Sequence, residues 1–316
     1  MDSHLRLVNG LIALSLGAPP WPNIFAQHGY DLYWVAPRFS LASGGEMNPD
    51  LIFLSTVRNV ALVVEAKGGS SLSNRQLRNA SALTTTDLQR AAAVSFPNAG
   101  AAQFSYVVAC FENGRKEITE RLDEAGYRYP VLCFFKGRLA MVRGKLADPS
   151  LDPVLRRGVD LTGPFPTQFI PFDGRSSLGE VASSVIVYII REIARARPHF
   201  QVEDILQQAI PIWERFHPAE KRQMVDAALR VISVMRKTRG TQFGKVMTPA
   251  GTARTPNLWA VAGRLPKSGR GFRKIRYETL HSWANKVLNE VKGKRLPPIR
   301  PRPDEGTQGR LWTKSE

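Results

Sequence analysis

Apolar and polar positions change period several times along the first half of the chain. From His4 to Leu16 the run LRLVNGLIALSL predicts an amphipathic first helix. DLIFLS and NVALVVEA are short apolar runs bounded by turn residues, and each predicts a strand. The spacing then lengthens over NRQLRNASALTTTDLQRAAA, which predicts one helix, before QFSYVVACF predicts a buried strand. KEITERLDEAGY predicts an amphipathic helix, and PVLCFFKGRLAMV a strand pair turned at Lys136 and Gly137. Two strands in tandem followed by a helix and strand crossover predict an α/β (α+β) core, a mixed central sheet flanked by helices, over residues 1–163.

Residues 164–263 change character. A buried helix is expected over about 177–196, a second in FQVEDILQQAIPIWERF, and a third from Pro218, a residue suited to a first helical position. Met224, Ala228, Val231 and Met235 form its apolar stripe. Two β-prone segments follow, around Thr241 to Met247 and Pro256 to Ala262, joined by TPAGTART. Three helices and a basic hairpin resemble a winged-helix domain, and that resemblance implies that a helix and the wing approach DNA. Residues 264–316, rich in Pro, Gly and basic residues, are expected to form a basic arm around one helix, Tyr277 to Val291.

Composition narrows the class. With 316 residues, 43% apolar and 22% charged, the chain has the balance of a globular protein. Its net charge is +17, from 44 Lys and Arg against 27 Asp and Glu. Residues 1–163 hold 17 basic and 14 acidic side chains, 164–263 hold 13 and 8, and 264–316 hold 14 and 5, so the surpluses are +3, +5 and +9. Such a surplus points to a polyanion, and DNA is the expected partner, because clustered cations release counterions from phosphate. The expected contacts are Arg236, Lys237, Arg239, Lys245, Arg254, Lys267, Arg270, Arg273 and Lys274, with Phe272, Tyr277 and Trp283 interleaved. Cys110 and Cys133 lie in apolar runs and are expected to be reduced core thiols, in a cytoplasmic protein. No apolar run approaches the roughly 20 residues that span a bilayer, so no membrane association is expected. Residues 5–18 mimic a secretory signal only faintly, since Asp2 and Asn9 suit that role badly.

One cluster carries chemistry: Asn48-Pro49-Asp50 ahead of LIFLS, and Glu65-Ala66-Lys67-Gly68-Gly69 closing an apolar run. On a strand, i and i+2 share a face, so Glu65 and Lys67 project together. Charges at the end of a buried strand are costly unless they are paired, bound to metal or at work. If DLIFLS is the hairpin neighbour, Asp50 stands near Glu65. Two carboxylates and an ammonium would then meet, with Asp50, Glu65 and the main-chain carbonyl of Ala66 as a ligand set for Mg2+, Mn2+ substituting. Lys67 would hold or deprotonate the attacking water and offset charge on the phosphate.

Pro49-Asp50 followed by Glu65-Ala66-Lys67 resembles the signature of the PD-(D/E)XK nuclease superfamily, over about residues 1–145. The resemblance implies a restriction-endonuclease-like fold and phosphodiester hydrolysis. It also implies a glutamine early in the next helix facing the site, which is Gln76, with Gln89 as a second candidate. Many members carry a further acidic residue on the first helix; residues 3–17 contain none, which leaves Glu46, Asp31 or Asn9, and of these Glu46 is the candidate metal ligand.

His4, His28, His199, His217 and His281 show no metal-ligand spacing and are expected at the surface or in caps. Trp213, Trp259 and Trp283 are expected in packing. Neither a phosphate-binding glycine loop nor a serine-hydrolase elbow occurs. The expected function is a metal-dependent DNA endonuclease in restriction, phage defence, transposition or repair, as a homodimer or in a multiprotein nuclease system. Its alternatives are a non-catalytic DNA-binding scaffold and a nuclease acting on RNA or branched DNA.

Overall fold

The computed structural model describes residues 2–174, 176–195, 197–252, 255, 257–262, 264–266 and 272–292, with only the backbone path for 264–266 and 272–274. Its first half runs α1 (Ser3–Leu16), α2 (Ile24–Gln27), β1 (Tyr30–Val35), β2 (Phe39–Ser40), β3 (Glu46–Met47), β4 (Leu51–Ser55) and β5 (Val60–Lys67). It continues through α3 (Asn74–Ala82), α4 (Thr85–Arg90), β6 (Gln103–Phe111), α5 (Arg115–Glu124), β7 (Val131–Phe135), β8 (Arg138–Arg143), α6 (Asp152–Arg157) and β9 (Val159–Asp160). The central sheet has seven strands in the order β1-β4-β5-β6-β7-β8-β9. β5, β6 and β7 are parallel, whereas the β1-β4, β4-β5, β7-β8 and β8-β9 pairs are antiparallel, so the sheet is mixed as expected.

Both sheet faces are covered, which is why β4 and the first part of β5 are apolar without alternation. Leu51, Phe53, Leu62, Val64 and Ala66 pack with α1, while Ile52, Leu54, Ala61, Val63, Tyr106, Val108 and Cys110 pack with α3, α4 and α5. Glu65 and Lys67 therefore alternate onto the α3 side. The single helix expected over residues 74–93 is two. Thr84 stops the first and caps the second: its hydroxyl accepts from Asp87 N at 3.1 Å while the Asp87 carboxylate takes Thr84 N at 3.0 Å.

The second half holds α7 (Leu178–Ala194), β10 (His199–Gln201), α8 (Val202–Ala209), α9 (Pro218–Lys237), α10 (Phe243–Val246), β11 (Met247–Pro249), β12 (Leu258–Val261), β13 (Arg264–Pro266), β14 (Phe272–Lys274) and α11 (Tyr277–Val291). The β-prone stretch from Thr241 thus begins with the helical turn α10, because burying Phe243 and Val246 together needs helical rather than alternating spacing. A second sheet has the order β10-β12-β11, all antiparallel. Pro218 opens α9, and Met224, Ala228, Val231 and Met235 are buried along it. Trp213, Trp259 and Trp283 are buried as well.

One buried cluster runs from Leu5 through Ile170, Val181, Ile205 and Met224 to Val291, so core packing continues across residue 163. Asn9 ties the halves together: its buried amide donates to Ile170 O at 2.9 Å and accepts from Phe169 N and Ile170 N. α11 lies within the expected arm, yet it buries Leu280, Trp283, Ala284, Val287 and Val291 and belongs to that core. Among the described residues no helix is long and apolar enough to cross a membrane.

Candidate active site

The β4-β5 ladder aligns Leu51 with Val64, and Asp50 extends it by donating its N–H to Val64 O at 3.0 Å. The carboxylate of Asp50 consequently reaches the end of β5, where Oδ2 accepts from Ala66 N at 2.7 Å. Its other oxygen is 2.9 Å from His4 Nε2, in the first turn of α1. That approach depends on Gly68, since a Cβ there would collide with His4 N and stand 2.8 Å from its Cα. His4 is therefore a correction to the surface or capping role expected for the histidines; His217 does cap α9, accepting from Ala219 N. No local pattern marks His4, because the meeting of α1 with β5 is set by tertiary packing.

Glu65 is 6% exposed, and its Oε1 lies 2.8 Å from Lys67 Nζ. Gln76 Nε2 donates to the same oxygen at 2.8 Å, and Gln76 Oε1 accepts from Lys67 Nζ at 3.1 Å. Ser73 caps α3 and fixes this glutamine: Ser73 Oγ accepts from Gln76 N, and Ser73 N donates to Gln76 Oε1 at 3.3 Å. Asp50, Glu65, Lys67 and Gln76 are thus brought together, while Gln89 sits in α4 and takes no part in these hydrogen bonds.

Burial, and then the charge of Asp50, push the Glu65 carboxyl up to about 7 against the opposing pull of Lys67 and His4. Burial and the same two carboxylates push up the Tyr106 phenol, a residue missed in the sequence. Tyr106 lines a cavity of about 430 Å3 with Glu46, Asn48, Glu65, Arg75 and Gln76. Glu46 is exposed there, 3.9 Å from Arg75, and its main-chain carbonyl accepts from Asn79 Nδ2 at 2.7 Å. Asp31 is exposed on β1, and Asn9 is committed to the core.

Among the described residues no group of three or more His, Cys, Asp or Glu side chains is arranged to hold a metal. The donor set still suits a hard cation that keeps several waters: two carboxylates, one of them disfavoured as an anion by the other and by burial. Asp50 and Glu65 would hold such an ion, with the Ala66 carbonyl as the main-chain donor.

Of the expected phosphate contacts, Lys237, Arg239 and Lys245 are exposed around the ends of α9 and α10. Arg236 is half-buried, its guanidinium 5.4 Å from the Trp259 ring centre. Arg254, Lys267 and Arg270 lie outside the described residues, and of Arg273 and Lys274 only the backbone is described.

Residues 3–131 are similar to the MJECL32 domain family, a stretch from α1 to the first residue of β7 that holds His4, Asp50, Glu65, Lys67 and Gln76. No curated protein and no solved structure matches the chain.

Proposed function

We propose that the chain is a divalent-metal-dependent endonuclease of the PD-(D/E)XK type that hydrolyses phosphodiester bonds in DNA. The convergence of Asp50, Glu65, Lys67 and Gln76 at the ends of two paired strands carries the reading. A bound Mg2+ or Mn2+ supplies Lewis-acid neutralisation of charge on the scissile phosphate. Asp50 and Glu65 bind that cation, and His4 and Ala66 N fix the orientation of Asp50. The Lys67 ammonium orients the attacking water and offsets the negative charge that grows on the phosphate oxygens. Gln76 bridges Glu65 and Lys67 and keeps the acid and the ammonium at a set separation.

Grip on the nucleic acid is assigned to the second half. The order α7, β10, α8, α9, β11, β12, with β12 between β10 and β11, supports a winged-helix reading of residues 164–263. In that arrangement α9 is the helix for the groove, and Arg222, Ser233 and Lys237 are exposed along it at helical spacing. Cytoplasmic location, and dimer formation to cut both strands, belong to the same proposal.

Supercoiled DNA incubated with Mg2+ or Mn2+ tests it. The parent chain should nick, and Asp50→Ala and Lys67→Ala should each lower the rate by at least about a hundredfold, the scale of losing one charge-stabilising group. Nicking by both variants at the parent's rate would leave the scaffold alternative standing.

A further inference from the structure

Tyr106 stands on β6 beside the carboxylate pair and outside its hydrogen-bond network. β6 runs parallel to β5 with Tyr106 opposite Val63, so Tyr106 shares the sheet face of Val63 and Glu65. Its ring packs edge-on against Tyr129, with 5.0 Å between centres and 65° between planes, which fixes where the hydroxyl stands. Only 4% of the residue is exposed, and the hydroxyl has no hydrogen-bonding partner among the described residues. It is not sealed in either: Tyr106 lines the cavity of about 430 Å3 that also holds Glu65, Gln76 and Arg75.

A buried hydroxyl without a partner is unfavourable, so whatever enters the cavity gains by supplying one. A phenol can donate or accept. Here it donates, since burial and the charges of Glu65 and Asp50 all hold the proton on it. The incoming atom is therefore an acceptor. On the endonuclease reading a phosphodiester meets Asp50 and Glu65, and it brings two non-bridging oxygens. One faces the cation that the carboxylates hold, and the other needs a donor of its own. Lys67 is engaged elsewhere, between Glu65 Oε1 at 2.8 Å and Gln76 Oε1 at 3.1 Å, where it serves the attacking water. Arg75 is exposed at the rim, 3.9 Å from Glu46.

We infer that Tyr106 is a further catalytic residue, whose hydroxyl donates a hydrogen bond to the non-bridging phosphate oxygen turned away from the cation. The position of that phosphate rests on the endonuclease reading. Tyr106 keeps its proton throughout, and its hydrogen bond strengthens as negative charge grows on that oxygen. The hydroxyl therefore adds rate rather than grip, because it favours the transition state over bound DNA.

The full chain is tested in two ways. Single-turnover nicking of supercoiled DNA with Mg2+ reads the rate, and Tyr106→Phe should be about a hundredfold slower, with DNA affinity within about twofold of the parent. The second readout needs no cutting. Starting from the chain loaded with Ca2+ in place of Mg2+, NMR follows the tyrosine ring carbon that bears the hydroxyl, enriched in carbon-13, as short random-sequence duplexes are added. The Tyr106 resonance, identified by its loss in Tyr106→Phe, should move as DNA binds, because a hydrogen bond from the phenol changes the electron density at that carbon. Phenylalanine keeps the packing on Tyr129. Should that variant not fold, the same resonance is identified by its shift in Glu65→Gln, which removes the larger of the two carboxylate charges acting on it. A parent that cuts while the resonance stays in place, or a folded Tyr106→Phe that cuts at the parent's rate, overturns the inference. A resonance that moves in a parent that does not cut upholds the contact with phosphate and sinks the hydrolysis reading instead. One that stays in place in such a parent overturns both.

Discussion

At Glu65 burial and the Asp50 charge oppose ionisation, while Lys67, Gln76 and His4 favour it. Raising the carboxyl from 4.5 to about 7 has a thermodynamic consequence. Across that interval the folded chain keeps a proton that the unfolded chain has lost, so metal-free stability should fall as pH rises, by on the order of 3 kcal/mol in all. Glu65→Gln should flatten this slope in thermal unfolding scans from pH 4.5 to 8. It should also remove metal-dependent cutting while DNA binding persists, because losing a carboxylate adds no repulsion to phosphate. Mg2+ should restore stability to the parent above pH 7 and release protons on binding near pH 6, measurable by calorimetry in buffers of different ionisation enthalpy.

At the level of elements, the site exists because α1, the β4-β5 hairpin and α3 converge within a few residues. α3 contributes through its cap, since the Ser73 box places Gln76 one turn inside the helix, above Glu65. α1 contributes through Gly68. Gly68→Ala would drive a methyl group into backbone atoms of His4 rather than into a yielding side chain alone. The substitution should lower stability by roughly 1–3 kcal/mol, as overpacking does, and separate His4 from Asp50. Chemical denaturation checks the first effect. A fall in cutting matched by His4→Ala, without a further fall in the double variant, checks the second.

For the whole molecule, charge and core divide differently. Half of the +17 lies after residue 263, but α11 in that segment is part of the shared core. A truncation that keeps all of α11 therefore begins at 293 and removes six Lys and Arg and three Asp and Glu. It should weaken DNA binding and reduce the slope of log affinity against log salt by about 0.9 for each phosphate that the shortened chain no longer neutralises. An unchanged slope in titrations at 50–200 mM salt would mean that these cations do not touch DNA.

The mixed sheet, the strand pair leading to Asp50 and Glu65, the α9 start at Pro218 and the α11 limits were all legible in the chain. Each rests on local periodicity and on residue types with strong positional preference. The break between α3 and α4 was present in Thr84 and Asp87 but was hidden by a helical period that runs on through it. His4 and Tyr106 had no local signal. They depend on which surfaces meet: α1 against the exit of β5, and α3 over Tyr106. Sequence by itself determined which residues carry charge into a buried strand end, because an acid and a lysine two apart share a face wherever that strand lies. Only the tertiary structure decided what surrounds them, because desolvation and pairing depend on neighbours distant in the chain.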